Sequence, residues 1–250
     1  MNATWREELD RNGYCIARQV FNSAEVEALL AAWNAMVEKA AADAGLIRNA
    51  GGSITAARNV LSIFPAARDC WRRESLVDKV IETLGHEAGL VRGLWFDKPP
   101  EQSWSLAWHK DLTIAVERND LLSNVFTHPT TKAGVAHVEA PVSLLERMLT
   151  LRIHLDPVTM ENGPLQVVAG SHRQGKDAAG ESGQIETILA TAGDVLLMRP
   201  LLSHASIASA AGTTLHRRIL HLEFAATRDL PDGFQWQTFL PLPRESEAAI

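Results

Sequence analysis

The octapeptide Leu149-Thr150-Leu151-Arg152-Ile153-His154-Leu155-Asp156 alternates apolar and polar residues without a break. Side chains along a β-strand project to opposite faces in turn. One face therefore carries Leu149, Leu151, Ile153 and Leu155, and the other Thr150, Arg152, His154 and Asp156. The stretch Arg217–Phe224 repeats the pattern, with Arg218, Leu220, Leu222 and Phe224 on one face and Arg217, Ile219, His221 and Glu223 on the other. Two arrangements satisfy such strands. Either the polar face meets water, or the sheet wraps a polar cavity and buries its greasy outside under something else. Periodicity alone leaves both open.

The first third of the chain supplies material for that cover, which favours the second arrangement. Asn22-Ser23-Ala24-Glu25 is a capping-box pattern, an N-cap side chain with a glutamate three residues on. Val26, Leu29, Leu30, Trp33 and Val37 follow at helical spacing, and the helix is expected to fade near Gly45. A second helix is expected from Glu74 to Leu84, ended by Gly85, and a short strand at Tyr14–Ala17. From about residue 88 short strand-like runs alternate with Pro and Gly: 89–98, 105–116, 149–156, 164–168, 185–189, 194–199 and 217–224. Helices first and about eight short strands afterwards predict a mainly β fold with flanking helices, of jelly-roll type.

Composition narrows the function. The chain has 250 residues, 46% of them hydrophobic and 22% charged, in the range of ordinary globular proteins. The net charge of −6 removes the broad basic footprint that nucleic-acid binding needs. Cys15 and Cys70 show no zinc spacing and are expected to be ordinary thiols. The charged start of the chain and the shortness of its apolar runs predict a cytoplasmic protein that uses no membrane.

The chemistry gathers at Trp108-His109-Lys110-Asp111. Residues i and i+2 of a strand point the same way, so His109 and Asp111 can grip one ion. With one more histidine they would form the facial triad that suits non-haem Fe(II) and leaves positions open. A bare His-x-Asp is a weak motif. His204 is the candidate third ligand, because it follows the strand-like run 193–200 and precedes the paired Arg217-Arg218 by thirteen positions. A guanidinium fork matches a carboxylate bidentately, as an oxygenase using 2-oxoglutarate requires for the distal carboxylate. The joint pattern is far more specific than any of its parts. Of the other histidines, His86 and His128 read as surface residues, His172 as closing a turn, His216 as solvated and His137 as a loop residue. His154 and His221 lie on the polar strand faces.

Taken together, these stretches resemble the phytanoyl-CoA dioxygenase family of Fe(II)/2-oxoglutarate-dependent oxygenases. The matching segments are 94–100, 108–116, 151–156, Glu161-Asn162-Gly163-Pro164-Leu165, Gly170-Ser171-His172, Gly193-Asp194, 199–206 and 217–225, in family order. The resemblance implies a double-stranded β-helix, cupin-like, with the N-terminal helices packed on the major sheet. It implies one domain over residues 1–250, helical to about 87 and jelly-roll from about 88 to 225. It implies Fe(II) held by His109, Asp111 and His204, and 2-oxoglutarate and O2 as co-substrates. Aligning the last strand on Phe224-Ala225 selects Arg217 as the anchor of 2-oxoglutarate, with Arg218 as the alternative. Leu94, Arg152 and Ser206 carry over as further co-substrate contacts. Lys98 is expected at a solvated strand end, with reach to an anion in the cavity as the alternative.

Two departures stand out. Lys110 replaces the family's usual glutamine between the ligands, and Ala169 replaces the proline before Gly170-Ser171-His172. Asp111 is present, so the vacancy that halogenases use for chloride is lacking. The expected reaction is hydroxylation, or another oxidation, of a C–H bond in a small-molecule metabolite, with release of succinate and CO2. Trp104, Trp108 and a lid formed by residues 117–140 are candidates for substrate contact. The rival reading is a metal-binding cupin-like isomerase or binding protein, which would need no arginine beyond the distal histidine.

Overall fold

The computed structural model describes residues 3–40, 45–100, 104–177 and 183–243. Its major sheet runs, from one edge to the other, Tyr14–Ala17, Val195–Met198, Met148–His154, Arg217–Ala225, Gly89–Lys98, Ile54–Ala57 and Leu46–Arg48. Leu240–Pro241 adds beside Gly89–Lys98, and every pairing is antiparallel. A minor sheet has the order Ile185–Ile188, Leu165–Val168, His204–Ser206, Leu106–His109. Leu196 and Met198 of the major sheet pack with Leu165, Val167 and Ile188 of the minor one, which joins the two into a jelly roll. A third sheet, Thr113–Val116, Val135–Glu139 and Thr127–Lys132, carries its own apolar cluster with Phe126, Phe234 and Trp236.

The alternation at 149–155 decides what lies where. Leu149, Leu151, Ile153, Leu220, Leu222 and Phe224 are all buried in one cluster with Val26, Leu29, Trp33, Leu76 and Val80 of the helices. Each such side chain contributes roughly 1.5–3 kcal/mol by leaving water. The helices responsible are Trp5–Asn12, Ser23–Lys39 and Glu74–Leu84. Two of them begin with complete capping boxes, Thr4 with Glu7 and Asn22 with Glu25. Trp33 stacks on Trp95 of the sheet with ring centroids 3.9 Å apart and planes 8° from parallel, and Phe64 meets both rings edge-on. Greasy faces therefore point outward under helices, and the polar faces point into the barrel.

Gly193 shows how tightly the helical layer is sewn on. Its φ is +89°, and a Cβ there would sit 2.0 Å from the carbonyl oxygen of Phe21, whose own N–H donates to the Gly193 carbonyl. Only glycine fits both demands.

Several expectations need correction. The run 105–116 is not one strand. Leu106–His109 belongs to the minor sheet and Thr113–Val116 to the third, because the chain turns away where the Asp111 N–H bonds to Pro200 O. The helix expected to fade near Gly45 ends at Lys39, and residues 41–44 lie outside the described residues. Asp156 leaves the polar inner face, since the strand ends at His154 and the carboxylate turns to Arg218. Residues 117–140 include two strands, Thr127–Lys132 and Val135–Glu139, and His137 is a buried strand residue. No helix among the described residues is long and apolar enough to cross a membrane.

Candidate active site

His109 and His204 are direct partners across two antiparallel strands of the minor sheet, with ring centroids 4.1 Å apart. Asp111 lies just beyond the first of these strands. Its Oδ1 is 4.0 Å from His109 Nε2 and its Oδ2 is 3.7 Å from His204 Nε2. One ligand atom from each of the three residues falls within a 4.8 Å span.

The tautomers are set by the backbone. His109 Nδ1 donates to Ala107 O and His204 Nδ1 to Leu202 O, both at 2.8 Å. A carbonyl can only accept, so each Nε2 presents a lone pair toward Asp111. Burial holds the His204 imidazole down at about 4, against the pull of Asp111, so it is neutral at physiological pH. Asp111 Oδ2 is occluded and has no hydrogen-bond partner among the described residues. Burial works to raise the Asp111 pKa, and His204, His221, His109 and Arg152 together bring it below the ordinary carboxylate range. Two imidazole lone pairs and an unpartnered carboxylate oxygen converging on one point form a donor set that fits a divalent cation, and the geometry suits Fe(II) with open positions.

The inner face of the major sheet continues the site. Across its strands Leu94 pairs with His221 and His221 with Arg152, Phe96 with Ile219 and Ile219 with His154, and Lys98 with Arg217. All of these but half-buried Phe96 are buried. Arg217 Nη2 donates to Ser206 Oγ at 3.2 Å, and its Nε has no partner among the described residues. Burial, with Arg152 nearby, lowers its pKa to about 9. Arg218 faces the other way and is engaged by Asp156.

Lys98 corrects the reading of a solvated strand end. It is 0% exposed. Its Nζ donates to Ser206 Oγ at 2.7 Å, to Gly163 O at 3.3 Å and to Ile207 O, beneath the ring of Trp104. Burial first, then Arg217 and Arg152, push its pKa down to about 7. Its strand parity with Leu94 and Phe96 was the available signal. Gly163, at φ +70°, leaves the necessary room, because a Cβ there would come within 2.8 Å of Lys98 Nζ.

Of the remaining sequence candidates, Arg152 reaches His221 Nδ1 at 3.2 Å, with its Nε unpartnered among the described residues. His221 Nε2 lies 3.3 Å from Glu223 Oε1, and Glu223 pairs with Arg92 at 3.3 Å. His154 is buried, and burial lowers its pKa to about 3. Lys110 points away from the triad and donates to Ser171 O and Gly175 O at 3.0 and 2.7 Å. His128 and His86 are exposed, and His216 pairs with Asp97 at 3.1 Å.

The fold and site together define a jelly-roll enzyme of the non-haem iron class. The model of the phytanoyl-CoA dioxygenase (PhyH) family matches residues 9–218, and the chain belongs to that family. It is a 2-oxoglutarate-dependent oxygenase whose cofactor set is Fe(II), 2-oxoglutarate and O2. No curated protein sequence matches the chain. Among solved structures it is similar to EctD from S. alaskensis with bound Fe (TM-score 0.69, 19% identity, 98% of this chain and 88% of that one). It is also similar to AviO1 from Streptomyces viridochromogenes Tue57 (TM-score 0.66, 20% identity, 92% and 100%). A third is the non-heme alpha ketoglutarate dependent carbocyclase SnoK from nogalamycin biosynthesis (TM-score 0.66, 17% identity, 93% and 89%). At these identities the likeness is one of fold.

Proposed function

We propose that the enzyme hydroxylates a C–H bond of a small-molecule metabolite, with His109, Asp111 and His204 as the iron ligands and Arg217 as the anchor of 2-oxoglutarate. Iron and 2-oxoglutarate supply the oxidising power, since decarboxylation to succinate and CO2 is coupled to transfer of one oxygen atom from O2. The chain's own residues do the rest. The two Nδ1 hydrogen bonds hold the imidazoles in the ligating tautomer. Arg217, Ser206 and Lys98 offer a buried cationic seat for the distal carboxylate. Leu94 and Phe96 line the inner face on the same strand as Lys98 and give it apolar surface.

One observation carries this reading above all. Arg217 is buried with its Nε free among the described residues, on the same inner face as the groups around the triad, while its neighbour Arg218 is occupied. A cupin isomerase or binding protein has no use for such an arginine. The test is succinate formation from 2-oxoglutarate by the Fe(II)-loaded enzyme under air, with candidate substrates added. Substrate-stimulated succinate that disappears in Asp111→Ala supports the reading. Failure of the Fe(II) protein to bind 2-oxoglutarate overturns it.

A further inference from the structure

The inner strand Arg217–Ala225 has two ends. Arg217 is at one, beside Lys98, and Glu223 is at the other, about 20 Å away at 3.4 Å per residue. Asp111 of the triad lies close enough to His221 and Arg152, in the middle of this inner face, for both to help lower its pKa. On the proposed function, on which this inference rests, 2-oxoglutarate extends from the metal toward Arg217. The substrate must then use the Glu223 end.

That end is cationic. Arg92 pairs with Glu223, and half-buried Arg58 and Lys132 lie close enough that the charges of Arg58, Arg92 and Glu223 are felt mutually. The third sheet roofs the same space. Thr113, Ala115, Lys132, Val135 and His137 share one of its faces by direct strand pairing, whereas Ile114, Val116 and Val138 pack into its apolar cluster on the other. Lys132 Nζ donates to Thr113 Oγ1 at 2.9 Å, two residues beyond the metal-site aspartate. Asn59 Nδ2 donates to Ala133 O and ties the roof to the sheet side. Between roof and sheet is a cleft of about 130 Å³ whose lining includes Asn59, Arg92, Ala115, Val135 and Gln237, with Arg58 and Lys132 at its margin as the chain neighbour of Asn59 and the strand partner of Val135. Glu139, the direct strand partner of Thr113 on the same roof face, is bound by Lys176 and His128. His137 adds no charge, because burial and the three cations hold its pKa at about 4. Among the described residues, Arg58, Arg92 and Lys132 thus have Glu223 and the metal-site Asp111 as their local carboxylates, while nearby Glu139 is engaged by Lys176 and His128.

We propose that Arg58, Arg92 and Lys132 form the substrate's anchoring subsite, and that the substrate is a small molecule bearing an anionic group, a carboxylate or a phosphate. Half-buried cations in excess of their counter-ions are seats for oxyanions.

The test uses anaerobic Fe(II)-loaded enzyme saturated with 2-oxoglutarate, so that the Arg217 end is filled. It is titrated calorimetrically with butyrate, with propyl phosphate and, as the neutral match, with butyramide. At least one anion should bind saturably, and the amide at least tenfold more weakly. Which anion binds more tightly distinguishes the two sources of charge. Lys132→Ala and Arg58→Ala should each weaken the preferred anion at least fivefold while 2-oxoglutarate still binds, and Lys132→Arg should restore most of the loss. Circular dichroism confirms that the variants are folded. Equal binding of the amide, no saturable binding of either anion, competition with 2-oxoglutarate, or indifference to both alanine substitutions overturns the proposal. If the Fe(II) protein does not bind 2-oxoglutarate, the function reading fails instead, and the same titrations of the Fe(II) protein still decide the anion subsite.

Discussion

Arg218 holds Asp156 through two parallel hydrogen bonds, Nε to Oδ2 at 2.8 Å and Nη2 to Oδ1 at 2.6 Å. The pair locks the guanidinium on the outer side of its strand. Its sequence neighbour Arg217 points inward and keeps Nε free among the described residues. Two identical side chains, adjacent in the chain, thereby acquire different tasks.

Substitution should separate those tasks. Arg217→Ala is expected to weaken 2-oxoglutarate binding at least thirtyfold, about 2 kcal/mol or more, as for other truncations of a buried charge partner. Arg218→Ala should leave that affinity within about twofold. It should instead lower the stability of the fold by roughly 1–3 kcal/mol, through loss of charge-assisted hydrogen bonds. Calorimetric titration and urea denaturation of both variants check this, and the reverse pattern would exchange the two roles.

Asp111 Oδ2 is an occluded acceptor lacking a partner among the described residues, so a bound cation should stabilise the fold directly. Fe(II) at a hundred times its Kd should add about 2.7 kcal/mol, visible as a rise in melting temperature under anaerobic conditions. Asp111→Ala should abolish the rise. So should His204→Ala. A rise of equal size in both variants would place the ion elsewhere.

Lys98 introduces a pH dependence. Its pKa in the free enzyme is pushed down to about 7 by burial and by Arg217 and Arg152. The charged form attracts the distal carboxylate of 2-oxoglutarate, and the neutral form does not. Binding of the dianion should therefore take up a proton, and affinity should fall as pH rises above about 7. Lys98→Met should bind more weakly at pH 6 and lose most of the slope between pH 6 and 9. A slope unchanged in that variant would assign the dependence to another group.

The stack of Trp33 on Trp95 joins the helical layer to the outer face of the major sheet. Trp33→Ala should cost about 3–5 kcal/mol, measured by denaturant unfolding. Because the stack lies on the opposite side of the sheet from the triad, Fe(II) affinity of the folded fraction should be unchanged.

Much of this was legible in the chain itself. Alternation at 149–155 and 217–224 determined which side chains share a face, since strand geometry makes that a matter of parity. The capping box at Asn22 and Glu25 and the stop at Gly85 placed two helices, because these signals act within a few residues. The spacing of His109 and Asp111 marked them as a pair, although they meet at a turn and not along one strand. What tertiary structure alone decided depends on contacts distant in sequence. It chose the cavity over the solvent for the polar faces by laying helices on the greasy ones. It set His204 opposite His109 across 95 positions, through strand register. It buried Lys98 by supplying Ser206 and two carbonyls from more than sixty residues away, without which a lysine there would stay in water. And it folded residues 127–139, read from the sequence as part of a lid, into two strands paired with Thr113–Val116, so that Ala115 and Val135 line one cleft with Arg92, because those contacts join stretches of chain far apart in sequence.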